Sequence, residues 1–179
     1  MTEQRRKVRR GAARTAAPRP VPDPPRRILL VSYGATPITR DVLQKTIALA
    51  TPEQAKITVL GIGRIFGTAL GLPHPGLKPN RLEWEEQRSV VQEAADELGR
   101  RGFDVLLAMA MARNAPKLIA RWVRAKNFHA VVIPDPARPA WRRRIEGELD
   151  HEIERRAHVP VHAVPIPAPA RKSSRGAGP

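Results

Sequence analysis

Several short stretches of this 179-residue chain carry residue types capable of chemistry. His151-Glu152-Ile153-Glu154-Arg155 is the first half of a helical zinc motif. That motif needs a second histidine four residues after the first, so that both imidazoles leave one helix face toward a metal. Arg155 stands there instead, and a guanidinium repels a cation. His74, His129, His158 and His162 have no ligand spacing, so all the histidines read as structural or exposed and no metal site is expected. Gly61-x-Gly63-x-x-x-Gly67 has the glycine density of a dinucleotide loop. Its last glycine is one residue out of place, and the run follows the second apolar strand and opens no immediate helix. Gly-Lys-Ser/Thr is missing, as is any Ser-His-acid pattern, and Ser32 reads as a small packing residue. With no paired acid and base and no nucleophile arrangement, the expectation is that the chain is not an enzyme. Lys117, Arg121 and Arg124 share one helical face, and Arg142, Arg143 and Arg144 cluster further on. Both groups can attract an anion; both also read as ordinary solvated charge. Aromatic residues, at 4%, are too sparse for a nucleic-acid stacking platform.

The elements that would position these residues alternate along the chain. Ile28–Ser32 is an unbroken apolar run, as expected of a strand buried on both faces. Thr39–Ala50 has Ile38, Val42, Leu43, Ile47 and Ala50 at helical spacing, and Thr51-Pro52 stops it. Strands are predicted at Lys56–Ile62, Val105–Met109, Ala130–Ile133 and Val161–Val164. Helices are predicted over Arg81–Arg101, Pro116–Lys126 and Arg144–Ala157. Trp84, Val91, Ala94, Ala95 and Leu98 form the apolar face of the first of these. Ile119, Trp122 and Val123 serve the second, and Ile145, Leu149, Ile153 and Ala157 the third. The fold class is therefore α/β: a five-stranded parallel sheet with right-handed crossovers and helices on both faces. The connection Gly63–Asn80 is long, with four glycines and three prolines, and reads either as a lid over the sheet or as an ordinary flexible connection.

Composition sets the remaining bounds. The net charge of +15 is concentrated at the ends. Residues 1–27 carry nine basic and two acidic groups, and residues 168–179 three basic and none acidic. Both ends have almost no large apolar side chains and are expected to be disordered basic tails, 1–26 and 168–179, around one domain at 27–167. Basic tails can hold nucleic acid by counterion release, or simply keep the protein soluble. There is no cysteine, which fits a reducing compartment. With no membrane-length apolar run and no secretory h-region, a cytoplasmic location without membrane contact is expected.

The chain from Arg27 to Val164 resembles a universal stress protein domain. The resemblance rests on the first strand leading into Tyr33-Gly34-Ala35, and on Ala55-Lys-Ile-Thr-Val-Leu60 for the second strand. It continues in the turn Arg113-Asn114-Ala115 before the third helix, then Gly147-Glu148 ahead of LDHEIERR. Ala157-His158-Val159-Pro160-Val161 forms the last turn. It implies a Rossmann-like three-layer sandwich of the adenine nucleotide alpha hydrolase-like kind. Nucleotide-binding members carry Gly-x2-Gly-x9-Gly-Ser/Thr after the fourth strand, and the matching positions here are Pro134, Ala137, Gly147 and Glu148. Proline has no N–H to turn onto a phosphate. Glu148 brings a carboxylate where a hydroxyl is needed, an unfavourable contact of about 1–4 kcal/mol depending on the local dielectric. Tyr33 replaces the acid that follows the first strand in the family. A degenerate nucleotide site is thus implied at Tyr33, Gly34, Ile62, Pro134, Ala137, Gly147 and Glu148, with Arg142, Arg143 and Arg144 as a possible anion-binding cluster.

Together these readings describe a universal stress protein-like module without a cofactor, acting in stress response through dimerisation and an unknown protein partner. The resemblance places the homodimer edge at Val161, His162, Ala163 and Val164. The alternatives are weak ATP or other anion binding at the degenerate site, and a nucleic-acid or ribosome-associated role through the tails.

Overall fold

The computed structural model describes residues 25–50, 55–65, 78–136 and 149–167. The elements run β1 (Arg26–Tyr33), α1 (Arg40–Leu49), β2 (Ala55–Arg64), α2 (Arg81–Arg100), β3 (Asp104–Ala112), α3 (Ala115–Lys126), β4 (Ala130–Pro136), α4 (Leu149–Ala157) and β5 (Val161–Ile166). All strand pairs are parallel, in the order β3-β2-β1-β4-β5. The order reverses between β1 and β4, which is where an open α/β sheet leaves a crevice at its carboxyl edge.

Each strand is longer than its apolar run predicts, because the backbone ladder continues past the buried side chains. β4 shows this best. The sequence predicts an end before Pro134, yet β4 pairs with β5 through Pro134↔Val164 and Pro136↔Ile166. The reason is parity. Successive residues of a strand aim their N–H and C=O groups at opposite neighbours. Val131 donates to the Pro160 carbonyl. With the continuous β4–β5 register, that assigns the N–H groups of Val131, Ile133 and Asp135 to β5. Pro134 and Pro136 therefore face β1, and there the ladder stops at Leu30↔Val132. The next bond would run from residue 134 to the Val31 carbonyl, and proline cannot donate it.

Helices α1 and α2 cover one face of the sheet, and α3 and α4 the other. Val42, Leu43, Val91, Ala94 and Leu98 pack on Ile28, Leu30, Ile57 and Val59. On the opposite face Ile119, Ala120, Val123 and Ile153 pack on Leu29, Val31, Leu60 and Ile62. The helical faces read from the sequence agree with these layers, with Thr46 and Gln87 added to the buried set. Polar caps set the helix ends. Asn80 and Glu83 form a reciprocal capping box at α2. Asn114 accepts from the Lys117 N–H at α3, and Asn127, at φ 51°, closes that helix in the left-handed region. Among the described residues no helix is long and apolar enough to cross a membrane. Residues 1–24 of the first tail, the whole of the second, Thr51-Pro52 with the two residues after it, most of the long connection and the segment 137–148 lie outside the described residues.

Candidate functional site

The candidate site is the mouth at the carboxyl ends of β1, β2 and β4. β1 ends in Ser32 and Tyr33, and the chain then turns sharply at Gly34 (φ 60°) and Ala35 (φ 54°). Two left-handed residues in succession are costly for Ala35, by roughly 1–2 kcal/mol. Hydrogen bonds hold the turn in place. The Gly34 N–H donates to the Ile62 carbonyl at 2.9 Å. Ser32 Oγ donates to the Thr36 carbonyl at 2.7 Å, and Thr36 Oγ1 to the Tyr33 carbonyl at 2.6 Å.

The centre of this network is Gln87, on α2 and only 1% exposed. Its Nε2 donates to Ser32 Oγ at 3.0 Å and lies 3.4 Å from the Ser32 carbonyl. Its Oε1 accepts the Ala35 N–H. Ser32 is fully buried and is a polar keystone, so the expectation of a mere packing residue is corrected. Gln87 escaped the sequence reading, although it interrupts the apolar stripe between Trp84 and Val91, which was the available signal.

The glycines of the supposed dinucleotide loop have a different use. Gly61 and Gly63 lie inside β2 and are buried. A Cβ at Gly61 would stand 3.3 Å from Gln87 Nε2 and 2.6 Å from Met109 Sδ. Gly61 thus lets the glutamine amide rest on the strand. Gly67 lies outside the described residues.

Tyr33 is half-buried, with the Arg64 guanidinium 5.2 Å from its ring centroid, a cation–π contact. Arg64 also crosses Gly34, where an added Cβ would meet its Cδ at 3.1 Å. Tyr33, Gly34 and Ile62 therefore do come together, beside Pro134. Where the β1–β4 ladder ends, a cavity of about 10 Å³ is lined by Val31, Tyr33, Ile119, Ile133, Pro134 and Leu149, among others. That is room for about one water molecule. Its described lining is apolar apart from Tyr33 and Thr36 and carries no charge. Ala137, Arg142, Arg143, Arg144, Gly147 and Glu148 lie outside the described residues. A phosphate site needs convergent N–H donors or cations. In the described part of this mouth, the Gly34 and Ala35 amides already have partners, and two positions are proline.

Lys117, Arg121 and Arg124 are exposed along α3. Arg124 donates to the Arg156 carbonyl at 3.0 Å, tying α3 to the end of α4. Val161, His162, Ala163 and Val164 form most of β5, a sheet edge, and are half-buried. Burial, then the Lys45 charge, pushes the His162 pKa below its ordinary value, while Glu154 acts the other way.

The fold matches solved universal stress proteins. The universal stress protein from Archaeoglobus fulgidus in complex with dAMP is 14% identical, with a TM-score of 0.55 over 77% of this chain and 96% of its own. Another structure of the universal stress protein from that organism is 15% identical, with a TM-score of 0.56 over 78% and 93%. A universal stress protein family member from Burkholderia pseudomallei is 20% identical, with a TM-score of 0.54 over 78% and 96%. At these identities the shared property is the fold. No family model and no curated protein matches the sequence.

Proposed function

We propose that this chain is a universal stress protein-like module that holds no ATP. On this reading it works in the cytoplasm, in stress response, through contacts with a second copy and with a protein partner. One observation carries the proposal: the β1–β4 crevice presents Pro134 and Pro136 where a phosphate cradle needs amide donors. The absence of cysteine accords with a reducing compartment. Titration calorimetry with ATP, ADP, dAMP and cyclic AMP tests the proposal. No saturable heat is expected below millimolar nucleotide. A one-to-one complex of micromolar affinity, or nucleotide retained through purification, would overturn it.

A second reading keeps a nucleotide or other anion beside Tyr33, Gly34 and Ile62, with Arg142, Arg143 and Arg144 supplying charge. The fold relative in complex with dAMP favours it. The same titration separates the two: saturable dAMP binding that weakens on replacing the three arginines by glutamine selects the second reading.

A further inference from the structure

The two edges of the sheet are not equivalent. β3 is nine residues long, Asp-Val-Leu-Leu-Ala-Met-Ala-Met-Ala, with no proline and no charge after Asp104. The Ala112 carbonyl accepts from the Ile65 N–H. With the unbroken β2–β3 register, the even-numbered residues of β3 face β2. The N–H and C=O groups of Val105, Leu107, Met109 and Met111 therefore point away from the described sheet. At the other edge the same parity leaves only Val161 and Ala163 as outward donors, because Pro165 has none. Proline is a usual means of blunting an edge; β3 has no such protection. Leu106 is 52% exposed and Met111 48%. On the face that Met111 shares, Ala95, Phe103, Val105 and Leu107, with Gln92, Asp96 and Arg100, line an open groove of about 520 Å³ between α2 and β3, and Leu106 lies on the opposite face.

We propose that the β3 edge, rather than the β5 edge that the family resemblance implies, pairs antiparallel with β3 of a second copy, about a twofold axis normal to the sheet through Ala108, making one continuous sheet. The edge is complementary to itself in that arrangement. Val105 faces the partner's Met111, and Leu107 faces the partner's Met109, each pair exchanging two hydrogen bonds. Ala108 meets its own copy where backbones come closest, and Leu106 lies opposite the partner's Ala110, large against small. Shifting the register by one residue would put side chains of opposite faces together, so it is excluded. Charge agrees as well. Asp104 comes beside the partner's Arg113 at each end, and no like charges meet between them. The exposed, flexible Met111 side chain enters the partner's α2–β3 groove, while Met109 packs inward over Gly61. This deepens the reading of a partner-binding module, and its failure is distinguishable from that reading's: mass tests the edge, nucleotide titration the site.

The test is light-scattering mass on the full chain at high micromolar concentration. Three proteins are compared: the wild type, the double variant Leu106→Lys/Met111→Lys, and Ala163→Pro on β5. The expected masses are two chains of 19.8 kDa, one chain and two chains, respectively. A single-chain wild type, a species larger than two chains, or a dimer lost only in Ala163→Pro would overturn the proposal. Should the lysine variant fail to fold, amide exchange of the wild type decides. Leu107 and Met109 should exchange more slowly at high than at low concentration, and equal rates sink the idea.

Discussion

At the residue scale, Gln87 is the clearest case of a side chain whose role depends on its partners. A buried amide is costly to bury unless both its ends are satisfied. Here the nitrogen serves Ser32 and the oxygen takes the Ala35 N–H, so the cost is met and the turn after β1 is fixed. Gln87→Leu has nearly the same shape but leaves Ala35 and Ser32 without these bonds. It should destabilise the fold by about 2 kcal/mol or more, since each orphaned buried group costs about 1–3 kcal/mol. Urea unfolding measures this, and a change below about 0.5 kcal/mol, less than a typical net hydrogen bond, refutes the role. His162 gives a pH prediction. Its folded pKa lies below the ordinary value, chiefly through burial and then Lys45, with Glu154 opposing. The folded state therefore favours the neutral ring. Its contribution is whole above the unfolded pKa of about 6.5 and is lost as pH falls toward the folded value. In urea titrations His162→Gln should flatten the fall in stability between about pH 7 and pH 5, the range in which histidine charges. An unchanged slope would remove His162 from the account.

At the scale of elements, the ends of strands and helices hold the lessons. The capping box at α2 satisfies two orphan backbone donors at once, and α2 carries Gln87. Asn80→Ala should cost about 1 kcal/mol in thermal or urea unfolding. Losing much less would mean that packing of Trp84 against Gly63 already sets the start of the helix. β4 shows why a proline does not simply end a strand. Pro134 and Pro136 withdraw donors from β1 alone, while Ile133 and Asp135 keep the ladder to β5. Among the described residues, the number and type of the elements were legible in the chain, because apolar runs of strand length alternate with 3.6-residue periodicity. Their ends were not, because a ladder is made by backbone groups that every residue except proline carries. The site was legible in part. Pro134 could be recognised as a lost donor from its position, but Gln87 could not be assigned its role, since its partners are 52 and 55 positions away in the chain.

Over the whole molecule, one sheet separates two cores, and neither is closed without it. Ile57 and Val59 belong to the α1–α2 core, while Leu60 and Ile62 on the same strand belong to the α3–α4 core. A strand shared in this way should couple the two layers into a single transition, as is usual for domains of this size. Single-tryptophan variants keeping Trp84, on the α2 side, or Trp122, on the α3 side, test that expectation. Their fluorescence should report the same urea midpoint. Separated midpoints would show that the layers unfold independently.

The order of residues alone decided the alternation of strands and helices, the concentration of positive charge at both ends, and the two prolines, Pro134 and Pro136, that follow the apolar run of β4. These depend on side-chain type and spacing along the chain, which need no folding to be read. The direction in which each proline withholds its donor, the satisfaction of Gln87 by the turn after β1, and the contrast between an unblunted β3 edge and a blunted β5 edge were settled only in three dimensions. They depend on which backbone groups face which neighbour, and strand register assigns that between segments far apart in the chain.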